Sequence, residues 1–416
     1  MERLLDFVDQ LSFVRVAGSE EEKKAAGMIL EEVRKAAKLS GNQAVSAEVM
    51  PFTIPGADVK RCAVMVNGEE IPSVPFWRSG NIDRECKLLY LDEASEIDFC
   101  GVGDLSDTVV LLNRLKDEDV YKRLVEHHAA AFMVLKGKYY FSTEESSLYP
   151  RRLREHFTRN GVIPGFTITA ADANRLIQEE VKTVKLLLEQ ENVEWNSQDV
   201  LAVVEGTERK EESIVLTAHY DSVPLGTGAW DNATGTAALL GIYRYFVSNP
   251  PKRTLRFVFC GSEEQGLLGS KAYVEQKKEL LDQIRFCFNF DMCGTALGAN
   301  RIFVTGSEQL ETFIQQYCKM AGYSAEITAR VHSSDSTPFC DKEIPALGLS
   351  RGTDAAEIHT IHDRGQILSE AAMRKNVQFA IRIIEDVANA AVIPVEKGMS
   401  EERRKDLDKY LHRVGQ

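Results

Sequence analysis

The sequence lacks the excess of positive charge that binding to nucleic acid or to an anionic membrane requires. Its 416 residues contain 50 Lys and Arg against 63 Asp and Glu, which gives a formal net charge of −13 at pH 7. A surface that binds nucleic acid is a basic patch, and attraction to anionic lipid likewise depends on Lys and Arg. We therefore expect neither nucleic acid nor a membrane as a partner.

Long apolar runs and paired cysteines are also missing. No uninterrupted apolar segment approaches the ~20 residues that a membrane helix needs. The first residues show no basic stretch followed by an apolar one, so we expect no signal peptide. The eight cysteines are scattered without a CxxC pair, and several lie in apolar runs such as FVFC, where cysteine packs as a small core residue. These absences favour a cytoplasmic protein with reduced thiols.

The chain is long enough for two domains, and its pattern changes along the sequence. Residues 57–192 contain short strand-like runs and few long helices, with a strand–helix–strand unit predicted over 109–135. From residue 199 onward, continuous apolar runs such as SIVLTAH (213–219) and LRFVFCG (255–261) alternate with helical patterns. Continuous apolar strands between helices predict a parallel sheet that is covered on both faces.

We therefore predict an α/β fold in which helices sandwich a mixed, largely parallel sheet, with a smaller β-rich inserted domain. The larger domain is predicted to combine residues 1–56 and 193–416, and the inserted domain to comprise residues 57–192. The pattern predicts no particular oligomeric state.

Two elements near the N-terminus can be predicted in more detail. Ser19 and Glu22 have the spacing of a capping box, and apolar residues then recur at helical intervals, which predicts an amphipathic helix over 19–37. A strand-like run follows at 44–54. We expect it to end at Pro55-Gly56, a typical turn pair.

Polar side chains follow three successive predicted strands or lie in the connection after the first of them. These residues are His219, Asp221, Asp231, Glu263, Glu264 and Asp291. In an open α/β sheet, ligands bind beyond the carboxyl ends of the strands. Carboxylates gathered there would repel one another unless cations neutralise them. A mixed set of imidazole and carboxylate groups suits Zn²⁺ and neighbouring divalent ions.

Two metal sites need a further histidine. IHTIHD (358–363) offers His359 and His362, and His332 is a third candidate. Taken alone, each polar residue has a simpler explanation as a helix cap, a turn residue or a hydrogen-bonded core residue. Their occurrence together at the ends of successive strands favours a metal site.

Six segments stand out in the sequence, and all but the fifth carry candidate residues: AHYDSV (218–223), AWDNATGTAALL (229–240), FCGSEEQGLLGSKAYV (259–274), NFDMCG (289–294), SDSTPFCDKEIPALGL (334–349) and IHTIHD (358–363). In this order, they resemble metallopeptidase family 28, the di-zinc aminopeptidases. The resemblance implies the zinc-aminopeptidase fold for the larger domain. The order of elements within 57–192 resembles a protease-associated insert.

The resemblance also implies a set of metal ligands. Asp231 would bridge two divalent metal ions, with zinc as the first choice. His219 and Asp291 would complete one site. Glu264 and His359 would complete the other.

The last ligand of the family is a His that is followed by Thr, with an Asp four positions on. His359 is followed by Thr360 and Asp363, so it fits this spacing, whereas His362 does not. The resemblance therefore implies that His359 is the ligand.

Two further residues have implied catalytic roles. Asp221 lies two positions beyond His219 on an extended chain, so it would hydrogen-bond the imidazole and fix its tautomer. Glu263 would be the general base, which takes the proton of the attacking water and passes it to the leaving amine. Adjacent residues of an extended chain point in opposite directions, so Glu264 can bind metal while Glu263 faces the water.

The function that these residues favour is a metal-dependent exopeptidase, an aminopeptidase that releases N-terminal residues from peptides. The first alternative is a carboxypeptidase or an amidohydrolase for small acylated amino acids. It would use Arg351 or the cluster Arg151, Arg152 and Arg154 to bind a carboxylate. The second alternative is a non-catalytic scaffold that binds peptides.

Overall fold

The computed structural model describes residues 3–42, 44–92, 94–353 and 358–413. Within these residues, the α-helices are α1 Leu4–Leu11, α2 Glu20–Ser40, α3 Glu118–Glu126, α4 Glu155–Thr158, α5 Ala170–Gln178, α6 Thr234–Ser248, α7 Leu268–Gln276, α8 Glu308–Ala321, α9 Thr337–Asp341, α10 Glu370–Asn389 and α11 Glu401–Tyr410. None of these described helices has both the length and the apolar character that crossing a membrane requires.

The same residues form fifteen strands. They are β1 Val45–Val66, β2 Glu69–Ile71, β3 Ser73–Trp77, β4 Ile82–Leu91, β5 Thr108–Leu112, β6 Ala131–Lys136, β7 Arg151–Arg152, β8 Gly165–Thr169, β9 Thr183–Val204, β10 Arg209–His219, β11 Arg253–Cys260, β12 Ile284–Phe290, β13 Ala299–Thr305, β14 Glu326–Ala329 and β15 Ala346–Gly352.

The chain divides into two compact units. The first comprises Met1–Ile54 and Asn196–Gln416, and the second comprises Pro55–Trp195. The chain passes from one unit to the other within β1 and again within β9. The resemblance of the second unit to a protease-associated insert stays a prediction.

The sheet of the first unit has the strand order β14-β13-β15-β12-β10-β11-β9. Its four central strands, β15, β12, β10 and β11, are parallel to one another, whereas β9 and β13 run antiparallel to their central neighbours. The predicted mixed, largely parallel sheet is therefore confirmed. β10 lies between β12 and β11, so the strand order reverses at β10. Where the strand order of an open α/β sheet reverses, a crevice for ligands forms beyond the carboxyl ends of the strands.

Both faces of this sheet are buried. Ile214, Leu216 and Ala218 of β10 belong to a core that also includes residues of α1, α2, α6 and α10. Val215, on the opposite face, belongs to a second core together with Tyr273 of α7. Burial on both faces explains why the strands appear in the sequence as continuous apolar runs.

The prediction that the first strand ends at Pro55-Gly56 is wrong, because β1 continues to Val66. Gly56 lies against an indole ring: a Cβ built on it would stand 2.4 Å from ring atoms of Trp195. A glycine inside a strand often marks such a close approach. Gly56 therefore makes room for Trp195 and does not form a turn.

The second unit contains a sheet with the strand order β9-β4-β5-β6-β8-β3-β7. Strands β4, β5, β6 and β8 are parallel neighbours. β5, α3 and β6 form the predicted strand–helix–strand unit, in which Val109 pairs with Ala131. The side chain of Asp117 caps α3 by accepting a hydrogen bond from the N–H of Val120, as expected for an Asp at this position.

Candidate active site

Three neighbouring strands place the predicted residues at one edge of the sheet in the first unit. β10 ends at His219, and β11 ends at Cys260, shortly before Glu263. β12 ends at Phe290, directly before Asp291. Because the strands are parallel neighbours, these positions follow carboxyl ends that meet at the same edge.

Asp231 lies between two groups of possible metal ligands. Its Oδ1 is 3.2 Å from Nε2 of His219, and the same nitrogen is 3.5 Å from Oδ1 of Asp291. Its Oδ2 is 3.1 Å from Nε2 of His359, which in turn is 3.0 Å from Oε2 of Glu264. The possible ligand atoms of each group lie within 4.8 Å of one another. Each oxygen of one carboxylate therefore faces a different imidazole, as a carboxylate shared by two adjacent cation sites must.

The electrostatics of these side chains favour a positive charge in both groups of possible ligands. Burial lowers the pKa of His359, but hydrogen bonds with Asp231 and Glu264 outweigh it and raise the pKa to about 12. Burial also opposes protonation of His219, yet the charge of Glu263 and the carboxylates close to the imidazole raise its pKa well above the usual range. Burial raises the pKa of Glu264 to about 7. Groups that stabilise an imidazolium in this way would also stabilise a bound cation.

The donor atoms fit a divalent transition metal. Oε1 of Glu264 and Oδ1 of Asp291 are buried without a hydrogen-bond partner, and so is Nδ1 of His219. A buried polar atom without a partner is unfavourable, and ligation would satisfy the two carboxylate oxygens. Two imidazoles with three carboxylates form a donor set that suits Zn²⁺.

Asp221 makes a stronger contact than the one predicted for it. Its Oδ1 is 3.4 Å from Nδ1 of His219, which is longer than a typical hydrogen bond. Its two oxygens instead accept the backbone N–H groups of Glu263 at 2.9 Å and Glu264 at 3.1 Å. Asp221 is fully buried, so it fixes the backbone that carries both glutamates.

The simpler explanation of Asp231 as a helix cap does not hold in the structure. Asp231 has non-helical backbone angles just before α6, and its backbone N–H donates to Oδ2 of Asp363 at 3.0 Å. The neighbouring Asn232 accepts the N–H of Gly235, in the first turn of α6, at 2.9 Å. The side chain of Asn232, not that of Asp231, therefore bonds to the first turn of the helix, and the carboxylate of Asp231 stays available to both ligand groups.

Of the three candidate histidines, only His359 lies in a ligand group among the described residues. His362 is exposed, and its backbone N–H donates to Oγ1 of Thr360. The ring of His332 stacks on Phe303, with 3.9 Å between the ring centroids. His359 has a φ of 56°, and a non-glycine residue in this left-handed region is typical of strained backbone at functional sites.

The guanidinium of Arg351, considered as a carboxylate anchor, already donates to several acceptors. Nε donates to the carbonyl of Thr295 at 2.8 Å, Nη1 to Oδ1 of Asn300 at 3.0 Å and Nη2 to the carbonyl of Ala296 at 3.2 Å. These bonds hold the connection between β12 and β13. The arginines at 151, 152 and 154 belong to the second unit.

Three buried acidic residues near the candidate active site were not predicted as functional. Asp335 is 1% exposed, and burial raises its pKa to about 6. Asp199 accepts the backbone N–H of Gly261, and Glu22, predicted only as part of a helix cap, accepts that of Ser262. The sequence does place Asp335 inside one of the family-like segments.

Comparisons with known proteins show similarity in sequence to peptidases. The profile described as Peptidase family M28 matches residues 199–384. Aminopeptidase YwaD of Bacillus subtilis (strain 168) is 28% identical over 377 residues, which cover 87% of this chain and 78% of that protein. The vacuolar membrane protease of Saccharomyces cerevisiae is 30% identical over 203 residues, which cover 47% of this chain and 20% of that protein.

Solved structures share the fold. BSAP, a zinc aminopeptidase from Bacillus subtilis, superimposes with a TM-score of 0.77 at 23% identity, over 95% of this chain and 97% of its own. The aminopeptidase from Aneurinibacillus sp. strain AM-1 gives a TM-score of 0.75 at 21% identity, over 96% and 97% of the two chains. The predicted zinc-aminopeptidase fold is thereby confirmed. Residues 199–384 of this chain are therefore similar to peptidase family M28.

Proposed function

We propose that the protein is a metal-dependent aminopeptidase that hydrolyses N-terminal residues from peptides and holds two divalent cations, with zinc as the first choice. The observation that carries the proposal is the position of Asp231, whose two oxygens each face a different group of ligands. The printed descriptions of YwaD and BSAP as aminopeptidases, and of BSAP as a zinc enzyme, support it.

Five side chains would hold the cations. His219 and Asp291 would bind one, Glu264 and His359 would bind the other, and Asp231 would bind both. Bound cations would supply Lewis acidity for the scissile carbonyl and lower the pKa of water.

Glu263 would be the general base. It belongs to neither ligand group, yet it lies close enough for the charges of His219 and Asp291 to act on its pKa. Burial raises the pKa of Glu263 well above its usual range, which makes its carboxylate a stronger proton acceptor. The carboxylate would take the proton of the attacking water and deliver it to the nitrogen of the leaving amine.

Two aspartates would keep these groups in place through the backbone. Asp221 holds the N–H groups of Glu263 and Glu264. Asp363 holds the N–H groups of Trp230 and Asp231. Fixing the backbone on both sides of the centre limits the reorganisation that would otherwise slow the reaction.

The structure gives less support to a carboxypeptidase. Such an enzyme needs a cationic side chain to bind the terminal carboxylate of its substrate. The guanidinium of Arg351 donates from Nε, Nη1 and Nη2 to groups of its own chain. Recognition of a free amino terminus is therefore the better supported specificity.

The test uses one short peptide in four forms, with its N-terminus free or acetylated and its C-terminus free or amidated. Each form is incubated with the zinc-loaded protein, and mass spectrometry identifies the residues released. We expect stepwise loss from the free N-terminus, which acetylation and a chelator both abolish. Glu263→Gln, purified identically, controls for contaminating peptidases.

Two results would contradict the proposal. Release from the free C-terminus alone would make the protein a carboxypeptidase. Absence of cleavage by a folded, metal-loaded protein would favour an amidohydrolase or a scaffold that binds peptides.

A further inference from the structure

Residues 261–264, which we name the glutamate turn, donate all four of their backbone N–H groups to carboxylates. The pairs are Gly261 to Asp199 at 2.9 Å, Ser262 to Glu22 at 2.9 Å, Glu263 to Asp221 at 2.9 Å and Glu264 to Asp221 at 3.1 Å. A backbone N–H group is a strong donor, and leaving one buried without a partner is unfavourable. The turn that presents both proposed functional glutamates is therefore held by side chains from outside it.

Glu22 reaches this turn from helix α2. Its own N–H donates to Oγ of Ser19 at 3.1 Å, as predicted for the start of the helix. In a capping box, its carboxylate would return to the N–H of Ser19. Instead, Oε2 accepts the N–H of Gly18 at 2.7 Å, and Oε1 accepts both the N–H and the hydroxyl of Ser262 at 2.9 Å. The fully buried Glu22 thus links the helix to the glutamate turn.

The surroundings of this carboxylate are closely packed and polar. The hydroxyl of Ser197 donates to Oε1 of Glu22 at 3.1 Å and lies 2.8 Å from the hydroxyl of Ser262. A Cβ on Gly261 would stand 3.0 Å from Oε1 of Glu22 and 2.4 Å from the carbonyl oxygen of Gln198. Ser262 has a φ of 54°, a backbone conformation that persists only where the surroundings hold it.

We propose that Glu22 is a positioning residue for the hydrolysis: it fixes the backbone of Ser262, which directly precedes Glu263 and Glu264. This inference rests on the proposed function, in which Glu263 is the base and Glu264 a metal ligand. A displacement of ~1 Å at a reacting group costs about 100-fold in rate. Loss of a group that orients a metal ligand costs about 10–100-fold in metal affinity.

The first experiment compares steady-state kinetics of three variants with the wild type. Glu22→Leu removes every acceptor at nearly constant size, and Glu22→Gln keeps one acceptor oxygen. Ile29→Ala, a fully buried position on the same helix, controls for lost stability. We expect Glu22→Leu to lower kcat about 100-fold with little change in KM, and Glu22→Gln to lower it less. Ile29→Ala should lower Tm without this loss of kcat.

The second experiment needs no catalytic activity. Zn²⁺ affinity is measured by competition with a chelator, and hydrogen exchange of the glutamate turn by mass spectrometry. Glu22→Leu should bind Zn²⁺ about 10–100-fold more weakly and exchange the amides at 261–264 faster, whereas Ile29→Ala should change neither. If the wild type cleaves no peptide, the proposed function fails, and these two measurements still decide whether Glu22 holds the turn.

A folded Glu22→Leu protein with wild-type kcat, Zn²⁺ affinity and exchange would overturn the inference. If Glu22→Leu does not fold, Glu22→Gln and Ser262→Ala decide the question, because each removes only part of the contact. A reduced kcat at unchanged KM in these two variants supports the inference. Wild-type values of kcat in both variants overturn it.

Discussion

Asp363 holds the backbone of Asp231 with one oxygen and that of the preceding residue with the other. Oδ2 accepts the N–H of Asp231 at 3.0 Å, and Oδ1 accepts the N–H of Trp230 at 2.7 Å. Asp363 follows His359 by four positions and is 3% exposed. One loop therefore supplies one proposed ligand, His359, and fixes the position of another.

Asp363→Ala should consequently lower Zn²⁺ affinity about 10–100-fold, the usual effect of losing a group that orients a ligand. The affinity is measured by competition with a chelator at fixed pH. Asp386→Ala is the control, because Asp386 is an exposed residue of α10 and its carboxylate accepts a hydrogen bond from Tyr317. Equal Zn²⁺ affinities in the two variants would show that Asp363 does not orient the centre.

Glu263→Gln should retain both metal ions and lose about 10²–10⁴-fold in kcat, because the amide cannot accept the proton of the water. Metal content is measured by elemental analysis and kcat with the preferred peptide. Glu275→Gln, an exposed position on α7, should keep the wild-type rate. A Glu263→Gln enzyme that works at near the wild-type rate would assign the base to another residue.

His359→Ala should lower the number of bound metal ions, whereas His362→Ala should not. Nε2 of His359 lies 3.0 Å from Glu264 and 3.1 Å from Asp231, while His362 is exposed and lies outside both ligand groups. Elemental analysis after dialysis against a weak chelator compares the two variants directly. The opposite order of metal loss would transfer the ligand role to His362.

The stability of the metal-free protein should depend on pH through Glu22. Burial and the nearby carboxylate of Asp221 raise the pKa of Glu22 from its ordinary value of 4.5 to about 8. A carboxyl group whose pKa is higher in the folded state stabilises the fold at low pH and loses that contribution as the pH rises to the folded pKa. Relative to Glu22→Gln, the wild type should therefore lose Tm between pH 4.5 and about 8.

Thermal unfolding in the presence of a chelator measures this difference at several pH values. Glu20→Gln, at an exposed position on the same helix, controls for the loss of a surface charge and should track the wild type. A wild-type Tm that stays constant or rises with pH relative to that of Glu22→Gln would contradict the raised pKa.

Much of the larger domain could be predicted from the sequence, because each buried parallel strand is a continuous apolar run that ends in polar residues. His219, Asp291 and the pair Glu263-Glu264 follow such runs. The parallel order of β12, β10 and β11 then brings them to one edge. Their ligand roles stay predictions.

The supporting contacts could not be predicted, because they depend on packing between distant segments. Glu22 is 240 positions from Ser262 in the sequence, and its spacing from Ser19 indicated only a helix cap. The contact of Asp221 with the backbone of Glu263 has no pattern in the sequence either. The Pro55-Gly56 pair predicts a turn, since the close contact of Gly56 with Trp195 connects segments far apart along the chain and has no local pattern in the sequence.

The central claim is that Asp231 is shared by two cation sites, and calorimetric titration of the metal-free protein with Zn²⁺ tests it most directly. We expect the wild type to bind two equivalents per chain and Asp231→Ala to bind weakly at both sites, since each site loses an oxygen ligand. Asp386→Ala should titrate like the wild type. A single equivalent in the wild type, or two tight equivalents in Asp231→Ala, would contradict the claim.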